Sequence, residues 1–364
     1  MSYDGRSHNG QVGGIVRVGL VRFLDDWTIK KTGSKAPLAR EDINSYTEWA
    51  LKKTVAYAYE NSSFYREKYA GSDLEDFENL PFATSEELRE RAIDFLCVKP
   101  GEISRIVTLD TGGSTGKPKR VYFTEEDQQL TVDFFENGMQ LMADSSDKVL
   151  ILMPAKVPGS IGKLLAEGLR NFGAKAIEYG LPEMGPHRSD EENEAEAVNL
   201  IELINSEEVT GVVALPTHME MLAEYNGAPN IECRLKWVLL SAEYVSDEAV
   251  QRITKGFNCK AYEHYGMTEM GLGCAVSCGH GEGYHVREAD LYIEIIDPET
   301  GDVVSDGQIG EIVFTTLTRE GMPFIRYRTG DYSRWIPEVC ACGSILKRLD
   351  KVGPRDVVKG YLKR

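Results

Sequence analysis

Ile106–Phe123 reads IVTLDTGGSTGKPKRVYF, two apolar strand-like runs joined by a loop rich in glycine and hydroxyls that carries two lysines. Glycines let backbone N–H groups approach phosphate oxygens, hydroxyls add hydrogen bonds, and lysines supply positive charge. The spacing is not that of the G-x-x-x-x-G-K-[ST] nucleotide loop, because Lys117 follows Gly112 by five positions and precedes Pro118. The usual P-loop NTPase is thereby excluded. On composition alone the segment is open between a phosphate cradle and a plain hairpin turn.

Downstream, Val149–Met153, Ala176–Tyr179, Gly211–Leu215 and Leu235–Leu240 are short apolar runs, and Ile161–Asn171, Ala195–Ile204 and Asp247–Lys255 have helix periodicity. Buried strands alternating with helices predict a mainly parallel, helix-covered sheet. Upstream, Ile43 to Arg91 repeats its apolar positions at helical spacing, broken by Gly71 and Pro81. After about Glu282 the texture becomes alternating strands with turns: Leu291–Ile296, the Pro298–Gly301 turn, Glu311–Thr316 and Phe324–Arg328. The expected class is α/β: a helical section over 1–105, a nucleotide-binding body over 106–281 and a β-rich subdomain over 282–364. The acidic run Ser189–Ala197 reads as a solvated loop and helix start.

A chain of 364 residues with 42% hydrophobic and 27% charged residues is long enough to bury a sizeable core. A net charge of −17 argues against nucleic-acid and anionic-membrane partners, which need a concentrated basic surface. No apolar run approaches the length of a membrane span, and Met1–Arg40 lacks the apolar stretch of a signal peptide, so the expected location is cytoplasmic. Seven cysteines in such a chain do not make a disulfide framework. Cys97, Cys233 and Cys259 stand alone, as small buried residues do, whereas Cys274/Cys278 and Cys340/Cys342 are close pairs.

Three strings together carry a resemblance to the adenylate-forming enzymes. Thr111, Gly113, Ser114, Thr115, Gly116, Pro118 and Lys119 fall in the order of that superfamily's phosphate loop, with Gly112 where serine is usual. Tyr262–Gly271, YEHYGMTEMG, resembles its Tyr-Gly-x-Thr-Glu string, and Ile325–Asp331, IRYRTGD, resembles its ribose motif. The resemblance implies that Tyr265 and Gly266 meet the adenine, Thr268 the α-phosphate, and Glu269 a Mg²⁺ ion, which needs only one or two carboxylates besides phosphate oxygens. Asp331 would accept the ribose hydroxyls, with Arg348 a weaker candidate beside it. By position, Ser241, Ala242 and Glu243 approach the adenine end and Pro216–His218 the acyl end. A lone histidine such as His218 is more often structural.

Outside these motifs, Phe64–Lys68 (FYREK), Leu80–Leu88 and Leu291–Phe314 are similar to the phenylacetate-CoA ligase branch, and the likeness runs from about Ser45 to Lys351. Met153–Gly162, MPAKVPGSIG, stands where aromatic-acid ligases carry a Gly/Tyr/Phe-rich stretch, which puts phenylacetate itself in doubt. Cys278, His285, Cys340 and Cys342 suit a tetrahedral zinc of the Cys₃His type, with Cys274 and His280 as rivals for the first pair. The zinc-bearing members of the branch place Cys and His before the ribose motif and Cys-x-Cys after it. With four protein ligands the zinc would be structural.

The implied activity is attack of a carboxylate on the α-phosphorus of ATP to give an acyl-adenylate, with Thr115, Lys119, Thr268 and Glu269 carrying the chemistry and coenzyme A as acceptor. Arg355–Gly360, RDVVKG, resembles the hinge to a mobile C-terminal domain that holds the family's lysine, and neither Lys359 nor Lys363 sits in a matching motif. Three explanations stand: a piece of a longer chain, a separate partner that supplies the domain, or nucleotide binding without full turnover. The rival functions are therefore a zinc-stabilised nucleotide- or acyl-adenylate-binding module, and an adenylating subunit serving an amine or a carrier protein. The partners expected are a small carboxylic acid, a separate C-terminal domain or carrier, and a second copy of the chain.

Overall fold

The computed structural model describes residues 23–109, 117–225 and 234–361. Four helices lead in: α1 (Phe23–Thr32), α2 (Arg40–Asn61), α3 (Ser63–Lys68) and α4 (Ser85–Arg91). Thr84 caps α4 by accepting from the Glu87 amide while Glu87 accepts from the Thr84 amide, so two orphan donors at the helix start are satisfied. An antiparallel hairpin follows, β1 (Arg105–Leu109) and β2 (Lys119–Phe123), whose register sets Leu109 opposite Lys119 at the mouth of the glycine-rich loop. Helix α5 (Glu125–Met139) starts at once, capped by Thr124 and Asp127 in the same reciprocal way.

The alternating pattern then becomes β3 (Lys148–Ile151), α6 (Ile161–Asn171), β4 (Lys175–Glu178), α7 (Asp190–Ser206), β5 (Gly211–Ala214), α8 (Pro216–Tyr225), β6 (Trp237–Leu240), α9 (Asp247–Phe257) and β7 (Lys260–Tyr265). These strands run parallel in the order β4–β3–β5–β6–β7, as the apolar runs predict. Period-two alternation divides each strand between two cores. Val149, Ile151, Val213 and Leu239 pack with Phe134, Leu165 and Leu169 of α5 and α6. Leu150, Val212, Val238 and Leu240 pack with Ile201, Met219 and Ile253 of α7 to α9. Gly211 is required by close approach, since a Cβ there would lie 2.2 Å from the Trp237 ring. The acidic run begins α7 itself: Ser189 caps it, and Asp190, Glu191 and Glu192 occupy the first turn, where carboxylates complement the helix dipole.

Beyond β7 the same sheet continues antiparallel through β8 (Ala275–Val276), β9 (Tyr284–Val286) and, later in the chain, β13 (Trp335–Ile336) and β14 (Arg348–Leu349). Hydrogen bonding thus runs across the boundary expected at residue 281. A second sheet is formed by β10 (Leu291–Ile296), β11 (Gly310–Thr316) and β12 (Tyr327–Ser333), which packs with the aromatic side chains of α3 and with Phe95. Strand β12 starts at Tyr327 rather than at the expected Phe324. Arg326, with φ of 46°, breaks the extended backbone just before it. Its guanidinium forms a buried ion pair with Glu294 of β10 at 2.9 Å and donates to the Leu80 carbonyl at 2.8 Å, tying β12 to the N-terminal section. Helix α10 (Arg355–Tyr361) covers the stretch expected to resemble a hinge. Among the described residues no helix is long and apolar enough to cross a membrane.

Candidate functional site

The C-terminal end of β7 and the middle of β12 belong to different sheets, and the site forms where they meet. The Tyr265 hydroxyl donates to Asp331 Oδ2 at 3.0 Å. Burial raises the Asp331 pKa above the ordinary carboxylate value, while the Tyr265 hydrogen bond opposes that shift. A hollow of about 150 Å³ opens here between Ala242, Glu243, Tyr265, Gly266 and Asp331 on one side and Val352–Pro354 on the other. Ala242 has φ of +70°, a left-handed conformation rare for alanine and held by the turn after β6. Gly266 is required by packing, since a Cβ would lie 2.7 Å from the Gly273 Cα.

A few residues further along, the loop after β7 turns inward at Glu269, which is 1% exposed. Its carboxylate is ion-paired with Lys119 from the start of β2 and accepts from the Tyr327 hydroxyl at 3.2 Å. The Glu269 carbonyl accepts from Arg319 at 2.9 Å, and Arg319 also donates to the Tyr122 carbonyl at 2.6 Å. Arg319 thereby holds the glutamate loop against the hairpin that carries the glycine-rich loop. Thr268 precedes Glu269 in the same partly buried turn, closed by a bond from the Gly271 amide to the Thr268 carbonyl at 3.0 Å.

The structure thus brings Lys119, Tyr265, Gly266, Thr268, Glu269 and Asp331 to one edge. Thr111, Gly113, Ser114, Thr115 and Gly116 lie outside the described residues, and so does Lys363. Ser241 makes a 2.8 Å hydrogen bond with Nδ1 of His264, a residue that also lines the hollow. Glu243 Oε2 accepts from the Thr217 hydroxyl at 2.8 Å and so fixes the start of α8. On that helix His218 is buried with no partner for Nδ1, and burial lowers its pKa. Arg348 faces the cysteine loops. Its guanidinium donates to the carbonyls of Glu282 at 2.5 Å and Glu338 at 2.7 Å, bracing them.

Three residues escaped the sequence reading. Tyr327 lies four positions before Asp331 in β12, but the register shifts between them and Gly330 has φ of 78°, so simple alternation does not reveal it. Arg319 and His264 carry no local signal. His264 is neutral, since burial pushes its pKa down to about 4, and its Nε2 is sealed from water without a partner beside Phe134.

Around β9 a second cluster gathers Cys278, His285, Cys340 and Cys342, all buried, with their ligand atoms within 4.8 Å of one another. Cys278 Sγ lies 3.5 Å from Cys340 Sγ, and Cys342 Sγ lies 3.4 Å from His285 Nε2. His285 Nδ1 faces the Leu346 carbonyl at 3.3 Å, which leaves Nε2 free to face the sulfurs. Of the rivals, His280 is not in this group and neither is Cys274, whose thiol burial pushes up to about 12.

With this geometry in view, comparison with known proteins is direct. Residues 184–317 match the AMP-binding enzyme family. The phenylacetate-coenzyme A ligase of Thermus thermophilus is 29% identical over 330 residues, which is 86% of this chain and 71% of that one. The Escherichia coli enzyme of the same name is 28% identical over 335 residues, again 86% of this chain and 71% of that one. A structure of 2-hydroxyisobutyryl-CoA ligase with 2-HIB-AMP and CoA superposes with a TM-score of 0.77 at 23% identity, covering 87% of this chain and 69% of that one, and at that identity it speaks for the fold alone. The chain is thus similar to AMP-binding enzymes over residues 184–317 and to phenylacetate-coenzyme A ligases, at 28–29% identity, over most of its length.

Proposed function

We propose that this chain uses ATP to convert a small carboxylic acid into an acyl-adenylate, which coenzyme A then takes up as a thioester. The observation that carries this reading is the ordered edge from the Ala242 hollow through Tyr265–Asp331 to Lys119–Glu269, which has the sequence of contacts a nucleotide needs. The Asp331 carboxylate offers two acceptor oxygens to a vicinal diol. Tyr265 and Gly266 line the adenine hollow, Thr268 lies between ribose and phosphates, and Lys119 supplies positive charge.

Glu269 already faces a cation in the form of the Lys119 ammonium, so its buried carboxylate fits Mg²⁺. That ion would neutralise phosphate charge, and Lys119 would then turn from Glu269 to the phosphates. The substrate carboxylate is the nucleophile at neutral pH and needs no general base, so positioning and charge stabilisation carry the catalysis.

The Cys278, His285, Cys340 and Cys342 set fits zinc. Zn–S near 2.3 Å and Zn–N near 2.0 Å in a tetrahedron place ligand atoms about 3.5–3.8 Å apart, close to the 3.4 and 3.5 Å found. Such an ion would pin β9 to the loop before β14, a structural role with no part in the chemistry.

Pyrophosphate exchange into ATP tests the reading. Exchange that depends on an added carboxylic acid and on Mg²⁺ is expected. Nucleotide binding with no exchange across aromatic and short aliphatic acids would instead favour a binding module.

A further inference from the structure

Behind the Glu269 loop, successive backbone carbonyls are each received by a side chain from a different element. The Glu269 carbonyl accepts from Arg319 at 2.9 Å, the Met270 carbonyl from Arg287, and the Gly271 carbonyl from the Thr131 hydroxyl of α5 at 2.8 Å. Gly271 has φ of 73°, and a Cβ there would lie 3.2 Å from Arg287 Nη2 and 3.5 Å from Thr131 Oγ1. Glycine thus lets both donors approach. Arg287 follows β9, and its amide donates to the Cys274 carbonyl at 3.0 Å. Its backbone is anchored at the far end of the loop, and its side chain reaches back to Met270.

The guanidinium occupies an unfavourable place for a cation. Arg287 is 4% exposed, its Nε and Nη1 are sealed from water without a hydrogen bond, and it makes no ion pair among the described residues. Burial lowers its pKa, although an arginine stays charged in proteins. The carboxylates of Asp290 and Asp133 act on its charge, but other groups occupy them. Lys31 of α1 lies 2.6 Å from Asp290 and 3.5 Å from Asp133, the Thr318 hydroxyl donates to Asp290 at 2.8 Å, and the Trp27 indole donates to Asp133 at 2.9 Å. The charges of this group balance, and the hydrogen bond left to the Arg287 side chain is the one to Met270. A methionine would fill the space beside the Phe134 ring, 5.0 Å away, with no ion to desolvate, so packing alone does not account for an arginine here.

We propose that Arg287 is a positioning residue for adenylation, setting through the Met270 carbonyl the place at which the Glu269 carboxylate meets magnesium. The proposal rests on the ligase reading and deepens it. Arg319 fixes the peptide plane after Glu269 and Arg287 fixes the next, so together they hold the backbone from which the Glu269 side chain projects. A charged donor makes the stronger hydrogen bond to a carbonyl. Glu269 exchanges Lys119 for the ion when the nucleotide binds, and a backbone held from behind confines that exchange to rotation of the side chain.

The test is calorimetric titration of the full chain with ATP, with and without Mg²⁺, using wild type, Arg287→Met and Arg287→Lys, alongside acid-dependent pyrophosphate exchange. Wild type should bind ATP more tightly when Mg²⁺ is present. In Arg287→Met that gain should shrink about tenfold, as is usual when a group orienting a metal ligand is lost, while affinity for metal-free ATP stays the same. Exchange should then need about tenfold more Mg²⁺ for half its maximal rate, with KM for the acid unchanged. Arg287→Lys keeps the charge and a donor and should restore most of the gain. If Arg287→Met does not fold, Thr131→Val removes the donor to the neighbouring carbonyl without removing a charge, and should shrink the gain about threefold. A wild-type Mg²⁺ gain in whichever of these variants folds would overturn the proposal, as would Arg287→Lys as impaired as Arg287→Met. Because Arg287 lies two positions after His285, zinc is measured in each variant. A loss of the gain only in variants that shed zinc would also overturn the proposal, by placing the effect in the cysteine cluster. Absence of acid-dependent exchange in wild type would refute the ligase reading itself, a separate result, since the equilibrium gain from Mg²⁺ still decides the role of Arg287.

Discussion

Replacing Asp331 with asparagine should move nucleotide affinity and protein stability in opposite directions. Asp331 is a mostly buried carboxylate whose resident partner is the Tyr265 hydroxyl at 3.0 Å, a bond that asparagine's carbonyl can still accept. The charge itself is a burden on the fold, because burial raises the Asp331 pKa. A carboxyl whose folded pKa exceeds its unfolded value holds its proton more firmly when folded. Stability therefore falls as pH rises from the ordinary carboxylate value of 3.8 through the raised one. The variant lacks that decline and should melt at or slightly above wild type at neutral pH. ATP binding should suffer, since the charge-assisted bonds to the ribose diol become neutral ones and one acceptor becomes a donor. A loss of about 1–3 kcal/mol follows, or roughly fivefold to 150-fold in Kd. Calorimetry with ATP and AMP reads the affinity, and thermal unfolding reads the stability. Wild-type ATP affinity in a folded variant would refute the placement of the ribose, and a markedly lower melting temperature would refute the account of the buried charge.

Three further outcomes follow from the same geometry. Glu269→Gln should leave the fold largely intact and cut Mg²⁺-dependent adenylation by at least about tenfold; unchanged activity with unchanged magnesium dependence would remove Glu269 from the site. Elemental analysis should find about one zinc per chain, and a chelator or Cys342→Ser should lower the melting temperature; a metal-free protein of undiminished stability would refute the zinc assignment. His264, held near a pKa of about 4 against the ordinary 6.5, contributes stability that is complete above about 6.5 and lost as pH falls toward 4. His264→Gln should flatten that acid limb in denaturant titrations, and an unaltered pH profile would count against the buried neutral imidazole.

The sheet was legible because its strands are continuous apolar runs buried on both faces, such as Val149–Ile151 and Trp237–Leu240. The start of β12 was not, because Phe324 and Ile325 are as apolar as strand residues but precede the left-handed Arg326, a conformation that hydropathy does not encode. Motif order nominates Tyr265, Glu269 and Asp331, and the structure gathers them at one edge. The direction of Arg348 could not be read, because its distance along the chain from Asp331 says nothing of orientation, and β14 turns its guanidinium to the carbonyls of Glu282 and Glu338. Arg319 and His264 were invisible for a related reason, since the one acts through backbone carbonyls and the other through a single serine. Neither kind of partner leaves a pattern in sequence.

The central claim is that a carboxylate oxygen becomes bonded to the α-phosphorus of ATP. Incubating the chain with Mg-ATP and a carboxylic acid labelled with ¹⁸O in its carboxylate, with hydroxylamine to trap the activated acyl group, follows that oxygen directly and does not depend on the thiol step. Mass spectrometry of the nucleotide should find AMP carrying one ¹⁸O, formed together with the hydroxamate. Unlabelled AMP, or label appearing in inorganic phosphate with ADP as co-product, would contradict the acyl-adenylate.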